Sequence, residues 1–226
     1  MSRLKAVLLD VDGTLLDSVD AHAAAWVEAL REDGIEVAFE TVRPLVGMGG
    51  DKLLPAVSGI ASDSDRGRRI SERRGDTFRS KYLPELRPFP MVRPLLQALR
   101  QRELRLIVAT SASVKDLGGL LDRTDIRDLV DDCASGDTVE RSKPDPDIIV
   151  AALQVGKVSA DESLMIGDTP YDVEAGRRAG VRCIGLSCGA WDAPGLSQAI
   201  AVYDDPADLL AHLDESPIGR RLADSR

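Results

Sequence analysis

A chain of 226 residues, 43% of them hydrophobic, can bury a sizeable core as one large domain or as a medium domain with an insertion. With 38 acidic against 29 basic side chains the formal charge is −9, which argues against a nucleic-acid polymer as partner. Small anions stay open, because a bound metal can reverse the field of a site whatever the sign of the whole surface.

Near the start, Arg3 and Lys5 precede a short apolar stretch that Asp10 and Asp12 interrupt before it reaches signal-peptide or membrane-span length. The expectation is a cytoplasmic protein with no membrane partner. Leu4 to Leu9, Leu104 to Ala109, Leu129 to Cys133, Leu164 to Gly167 and Val181 to Leu186 are short aliphatic runs, with a weaker one at Ile200 to Tyr203. Segments of helical spacing separate them, and that alternation predicts an α/β fold with a parallel sheet under helices.

Between the first two runs lies a long insert with little strand pattern. Val19, Ala23, Trp26 and Leu30 share one helix face and Gly34 is a natural stop. A second helical unit is predicted from near Asp51 and a third over Asp65 to Tyr82, with a proline-rich hinge at Pro84, Pro88 and Pro90. Residues 16–87 are thus expected to form a helical cap on a core of residues 1–15 and 88–226. Charge and few apolar residues after Pro217 predict a loose tail. Cys133, Cys183 and Cys188 have no zinc-like spacing and read as reduced structural thiols.

Four stretches carry the chemistry, each just after an apolar run or in a proline turn. In Asp10-Val11-Asp12-Gly13-Thr14 two acids precede a glycine that permits a sharp turn, so Asp10 is placed to attack phosphorus and Asp12 to act as general acid and base. Thr110 and the amide of Ser111 can bond phosphoryl oxygens, although hydroxyls there also read as helix caps. Lys143, between Ser142 and Pro144, would neutralise both the nucleophile and the substrate phosphate. Asp168, with Asp10 and the main-chain carbonyl of Asp12, offers hard oxygen ligands for Mg²⁺. Asp172 reads equally as a first-turn acid on a helix capped by Thr169 and as a brace for Lys143 or a metal water.

With these residues in order, the chain resembles the haloacid-dehalogenase superfamily, in its phosphoglycolate-phosphatase and β-phosphoglucomutase-like subgroup with a helical cap. The resemblance covers nearly the whole chain. It implies a Rossmann-like core, a mobile cap, Mg²⁺ and hydrolysis of a small phosphomonoester through an aspartyl phosphate. Dehalogenases of the family lack the acid that Asp12 supplies, so dehalogenation is disfavoured.

The leaving group must be read by the cap. His22 and Trp26 lie four apart on one helix face; Trp26 reads as core, and His22 equally as a boundary residue or a substrate contact. Gly49 and Lys52, in a flexible stretch opening a helix, are candidates to close over a substrate. Mutase relatives carry an arginine near the position of Gly50, which places a phosphomutase second to a phosphatase. Arg66, Arg68, Arg69, Arg73 and Arg74 are interleaved with acids and read as a solvated helix face. A non-enzymatic, receiver-like phospho-acceptor is the third reading, resting only on fold-level analogy. The leaving group and the oligomeric state are left open by the sequence.

Overall fold

Six short runs pair side by side: β1 (Ala6–Leu9), β2 (Arg105–Ala109), β3 (Asp132–Ala134), β4 (Ser163–Gly167), β5 (Arg182–Leu186) and β6 (Ala201–Tyr203). The computed structural model describes residues 2–224. Strand order is β3-β2-β1-β4-β5-β6 and every pairing is parallel. Leu8 sits opposite Ile107 on one side and Met165 on the other. Buried between two neighbours and under helices on both faces, β1 has no polar-facing position, which is why it reads as an unbroken apolar run. The third strand starts three residues into the apolar run predicted for it, at Asp132 rather than Leu129. Leu129 and Val130 pack on the core before the strand begins.

Between β1 and β2 the chain builds α1 (Val19–Glu32), α2 (Phe39–Val42), α3 (Gly50–Ser58) and α4 (Asp65–Thr77), and then α5 (Val92–Gln101). At the end of α1, Gly34 takes φ +79°, a left-handed turn that costs other residues energy. The last turn of α4 widens into a π-helical segment over Phe78–Tyr82. Trp26, Leu30, Leu53, Leu54 and Ile70 form a core belonging to this insert, whereas Phe78 packs into the main core and ties the two together. Entry and exit are tethered to each other: Leu16 bridges Pro88, Asp17 N–H donates to Arg87 O at 3.1 Å, and Phe89 N–H to Leu15 O at 3.1 Å.

Helices α6 (Val114–Thr124), α7 (Asp147–Gly156), α8 (Pro170–Arg178), α9 (Pro206–Ala211) and α10 (Pro217–Ala223) complete the order. Strand side chains alternate between two cores. Val7, Leu9, Val108 and Ile166 meet α5, α6, α9 and α10, while Leu8, Ile107 and Met165 meet α7 and α8. Contrary to the loose tail expected after Pro217, α10 is docked: Ser216 caps it and Ile218 is fully buried. Leu222 packs on the same core, and the buried Arg221 guanidinium donates to Ser2 O at 3.0 Å and Ser163 O at 3.3 Å. Among the described residues no helix is long and apolar enough to cross a membrane.

All strands point the same way, so the residues following β1, β2 and β4 emerge together. The order reverses between β1 and β4, and a crevice opens at the carboxyl ends there.

Candidate active site

Asp10 leaves the end of β1 with its N–H donating to Ile166 O of β4 at 3.0 Å. The chain then turns tightly, the N–H groups of Leu15 and Leu16 both donating to Val11 O at 2.9 Å, with Gly13 at φ +86°. A Cβ on Gly13 would stand 2.3 Å from Asp168 Oδ2, so only glycine allows the loop to pass the acid of β4 this closely. Thr14 donates to Asp168 Oδ1 at 2.8 Å and lies 3.2 Å from Asp10 Oδ2. It joins two acids separated by most of the chain, a role the sequence reading did not give it.

Lys143 is fully buried, its ammonium 2.5 Å from Asp10 Oδ1 and 2.7 Å from Asp172 Oδ1. Burial alone would lower its pKa, but the two carboxylates outweigh that and hold it above the ordinary lysine value. Asp172 combines the two roles left open for it. Its Oδ2 accepts from Thr169 N–H at 3.1 Å and from the Thr169 hydroxyl at 2.6 Å, closing a capping box on α8, while Oδ1 braces Lys143.

Charge is not balanced here. Burial raises Asp10 to about 7 even though Lys143 opposes it, and burial with Asp10 and Asp172 nearby raises Asp168 well above the carboxylate range. Asp168 is fully buried and its Oδ2 has no hydrogen-bond partner among the described residues. Oxygens of Asp10, Asp168 and Asp172 lie within 4.8 Å of one another. An orphaned carboxylate oxygen beside two more acids, with one ammonium among them, suits a hard divalent cation. Gly189 shapes the other wall, since a Cβ there would fall 1.8 Å from Asp168 Oδ2.

Asp12 faces elsewhere: its Oδ1 accepts from Ser18 Oγ at 2.6 Å and lies 2.9 Å from His22 Nε2. Burial would raise its pKa, but His22 and Ser18 more than offset this and lower it. The Asp12 side chain is not part of the acidic cluster, which the Asp172 side chain joins instead, so the Asp12 carbonyl is the atom it would offer an ion. The His22 ring stacks on Phe78 at 3.9 Å between centroids and has Asp12 as its polar partner.

Thr110 is buried after β2, its N–H donating to Ala134 O at 3.2 Å and its hydroxyl accepting from Ala112 N–H at 3.1 Å. The residue that caps α6 is Ser113, which accepts from Asp116 N–H. Ser111 donates to Gly47 O at 3.3 Å, linking core and insert. Lys52 does likewise, paired with Asp145 at 2.6 Å and bonded to Ser142 O, and so it points to the rim rather than to Asp10. Gly49 lines the site; a Cβ there would meet Ser142 Cβ at 2.4 Å.

Above Asp10 and Asp12 is a cavity of about 50 Å³ whose roof includes Trp26, Met48 and Arg74. Arg74 overturns the expectation of a solvated arginine face, because its side chain is only 18% exposed and its guanidinium lies 5.1 Å from the Trp26 ring centre. Charge pattern alone could not separate it from Arg66 and Arg68, which do pair at the surface with Asp33 and Asp65.

A doubly wound parallel sheet with buried acids and a lysine at its switch point, roofed by a helical insert, defines an α/β enzyme of phosphoryl chemistry. The chain belongs to the haloacid dehalogenase-like hydrolases, whose family model matches residues 7–186. A phosphoglycolate phosphatase of Rhodospirillum rubrum is 34% identical over 214 residues, covering 91% of this chain and 89% of that protein. A crystal structure of a hydrolase from Pseudomonas syringae matches with a TM-score of 0.87 at 32% identity, over 93% of this chain and 98% of that one. The β-phosphoglucomutase of Clostridium difficile has the same fold, with a TM-score of 0.81 at 20% identity over 94% and 96% of the two chains.

Proposed function

We propose that the protein is a Mg²⁺-dependent phosphatase of a small phosphorylated metabolite, with Asp10 as nucleophile, residues 16–87 as cap, and phosphoglycolate, named in its relatives, as first candidate substrate. The observation that carries this reading is Asp10 itself, set between the Lys143 ammonium and the unpartnered Asp168 oxygen on the floor of a roofed cavity. Asp10, Asp168 and the Asp12 carbonyl would hold Mg²⁺, with Asp172 close by, and the ion would supply positive charge against phosphoryl oxygens.

A carboxylate oxygen of Asp10 bonds to phosphorus as the bond from phosphorus to the leaving oxygen breaks. That oxygen takes a proton held between Asp12 and His22, whose facing atoms are 2.9 Å apart. Asp12 then removes a proton from water, the water oxygen attacks phosphorus, and inorganic phosphate and free Asp10 result. Lys143 offsets repulsion between Asp10 and the incoming phosphate, and Thr110 with the Ser111 amide steadies the phosphoryl oxygens. An ionised base beside the acyl phosphate favours turnover over a persistent phospho-acceptor state. Gly50, without a side chain and 3.0 Å from Trp26 by its would-be Cβ, and the small cavity disfavour a sugar phosphomutase.

The test is phosphate release from an aryl phosphate with and without Mg²⁺. Asp10→Asn is expected to abolish it at least 10³-fold, roughly what loss of a nucleophile costs. Activity surviving that change, or isomerisation of a hexose phosphate without phosphate release, would falsify the reading.

A further inference from the structure

Arg74 reaches the catalytic cavity from α4, on the cap side, opposite the floor where Asp10 meets Lys143. Its hydrogen-bonding capacity there is largely unspent. Nε is buried with no partner, and the nearest acid, Asp116 Oδ2, is 4.0 Å from Nη1, outside hydrogen-bond reach. Asp116 is instead held by Arg79 at 2.6 Å. The Trp26 ring faces the guanidinium and restricts its plane. An under-bonded guanidinium in a closed site is costly unless an anion completes it.

We propose that Arg74 is the specificity-determining residue of the site, binding a carboxylate on the leaving group, so that the preferred substrates are short phosphomonoesters of hydroxy acids. The proposal rests on the phosphatase reading above. A planar guanidinium with free donors matches a planar carboxylate. Arg74 and Asp10 line one small cavity, so the leaving group of a phosphate bound at Asp10 comes within its walls. A neighbouring hollow that Arg74 also borders is lined by Asp51, Asp137 and Glu140, whose charge disfavours an anion on that side. The negative end of the leaving group therefore stops at Arg74.

The experiment compares phosphoglycolate with uncharged hydroxyethyl phosphate on wild type, Arg74→Gln and Arg74→Lys. Both variants are expected to lose about 30- to 100-fold in kcat/KM on phosphoglycolate, mostly through KM, the equivalent of one charged hydrogen-bonding contact, and about threefold or less on hydroxyethyl phosphate. Equal losses on both substrates, or none on either, overturn the proposal. So does a wild type that shows no preference for phosphoglycolate while it turns over both, which leaves the phosphatase reading standing. Glycolate titration followed by tryptophan fluorescence needs no turnover: quenching in wild type that is lost in Arg74→Gln is expected even should hydrolysis fail, and quenching unchanged in the variant overturns the assignment.

Discussion

Lys143 faces Asp10 and Asp172, and no donor reaches Asp168 Oδ2. Burial carries Asp10 from 3.8 to about 7, so the folded protein holds a proton that the unfolded chain releases earlier. This contribution favours the fold fully below the unfolded value and is lost as pH rises through the folded one. A divalent cation must displace that proton, so its own contribution grows over the same interval. Mg²⁺ is expected to raise the Tm more at about pH 8 than at about pH 5.5; a gain that ignores pH counts against Asp10 as ligand. The acids, Thr110 and Lys143 were legible because each follows a strand-like run or sits in a proline turn. Arg74 was not, because it stands in a run of charged residues on α4 like Arg66 and Arg68, and only its packing over Trp26 at the cavity roof separates it from them.

At the scale of elements, the strands were legible wherever both flanks of an apolar run bury, as in β1, β4 and β5. An edge strand gives a weaker signal: β3 pairs only with β2, and its apolar lead-in packs on the core as loop. The helix α10 was missed because part of its seat is polar: Arg221, a charge in the sequence, is buried and bonded to Ser2 and Ser163 carbonyls. Ile218 is wholly buried in the cluster that contains Leu209 and Leu213. Replacement by alanine is expected to cost about 2–4 kcal/mol of unfolding free energy, measured by urea denaturation. A loss under about 0.5 kcal/mol, the range of surface changes, would show that α10 is not part of the cooperative fold.

Across the whole molecule, core and insert meet through polar contacts on several sides: Lys52 with Asp145, Arg79 with Asp116, Ser111 with Gly47 and Tyr171 with the Pro44 carbonyl. Partly exposed pairs of this kind are each worth about 0–1 kcal/mol, so they add modestly to the buried apolar contacts that Phe78 and Leu86 make with the main core. Phe78 and the hydrogen-bonded connectors at Leu16 and Pro88 anchor the insert to the core.

Ser18 and His22, which hold Asp12, belong to the start of α1 in the insert, whereas Asp12 lies in the loop that follows β1. In the proposed reaction the proton donor is thus wired to residues of the insert rather than to the core alone. Removing the wire while sparing the trigger, by His22→Ala, should cut kcat about 10²-fold and leave competitive inhibition by inorganic phosphate nearly unchanged; an equal fall in phosphate affinity would mean that the imidazole grips the ligand itself.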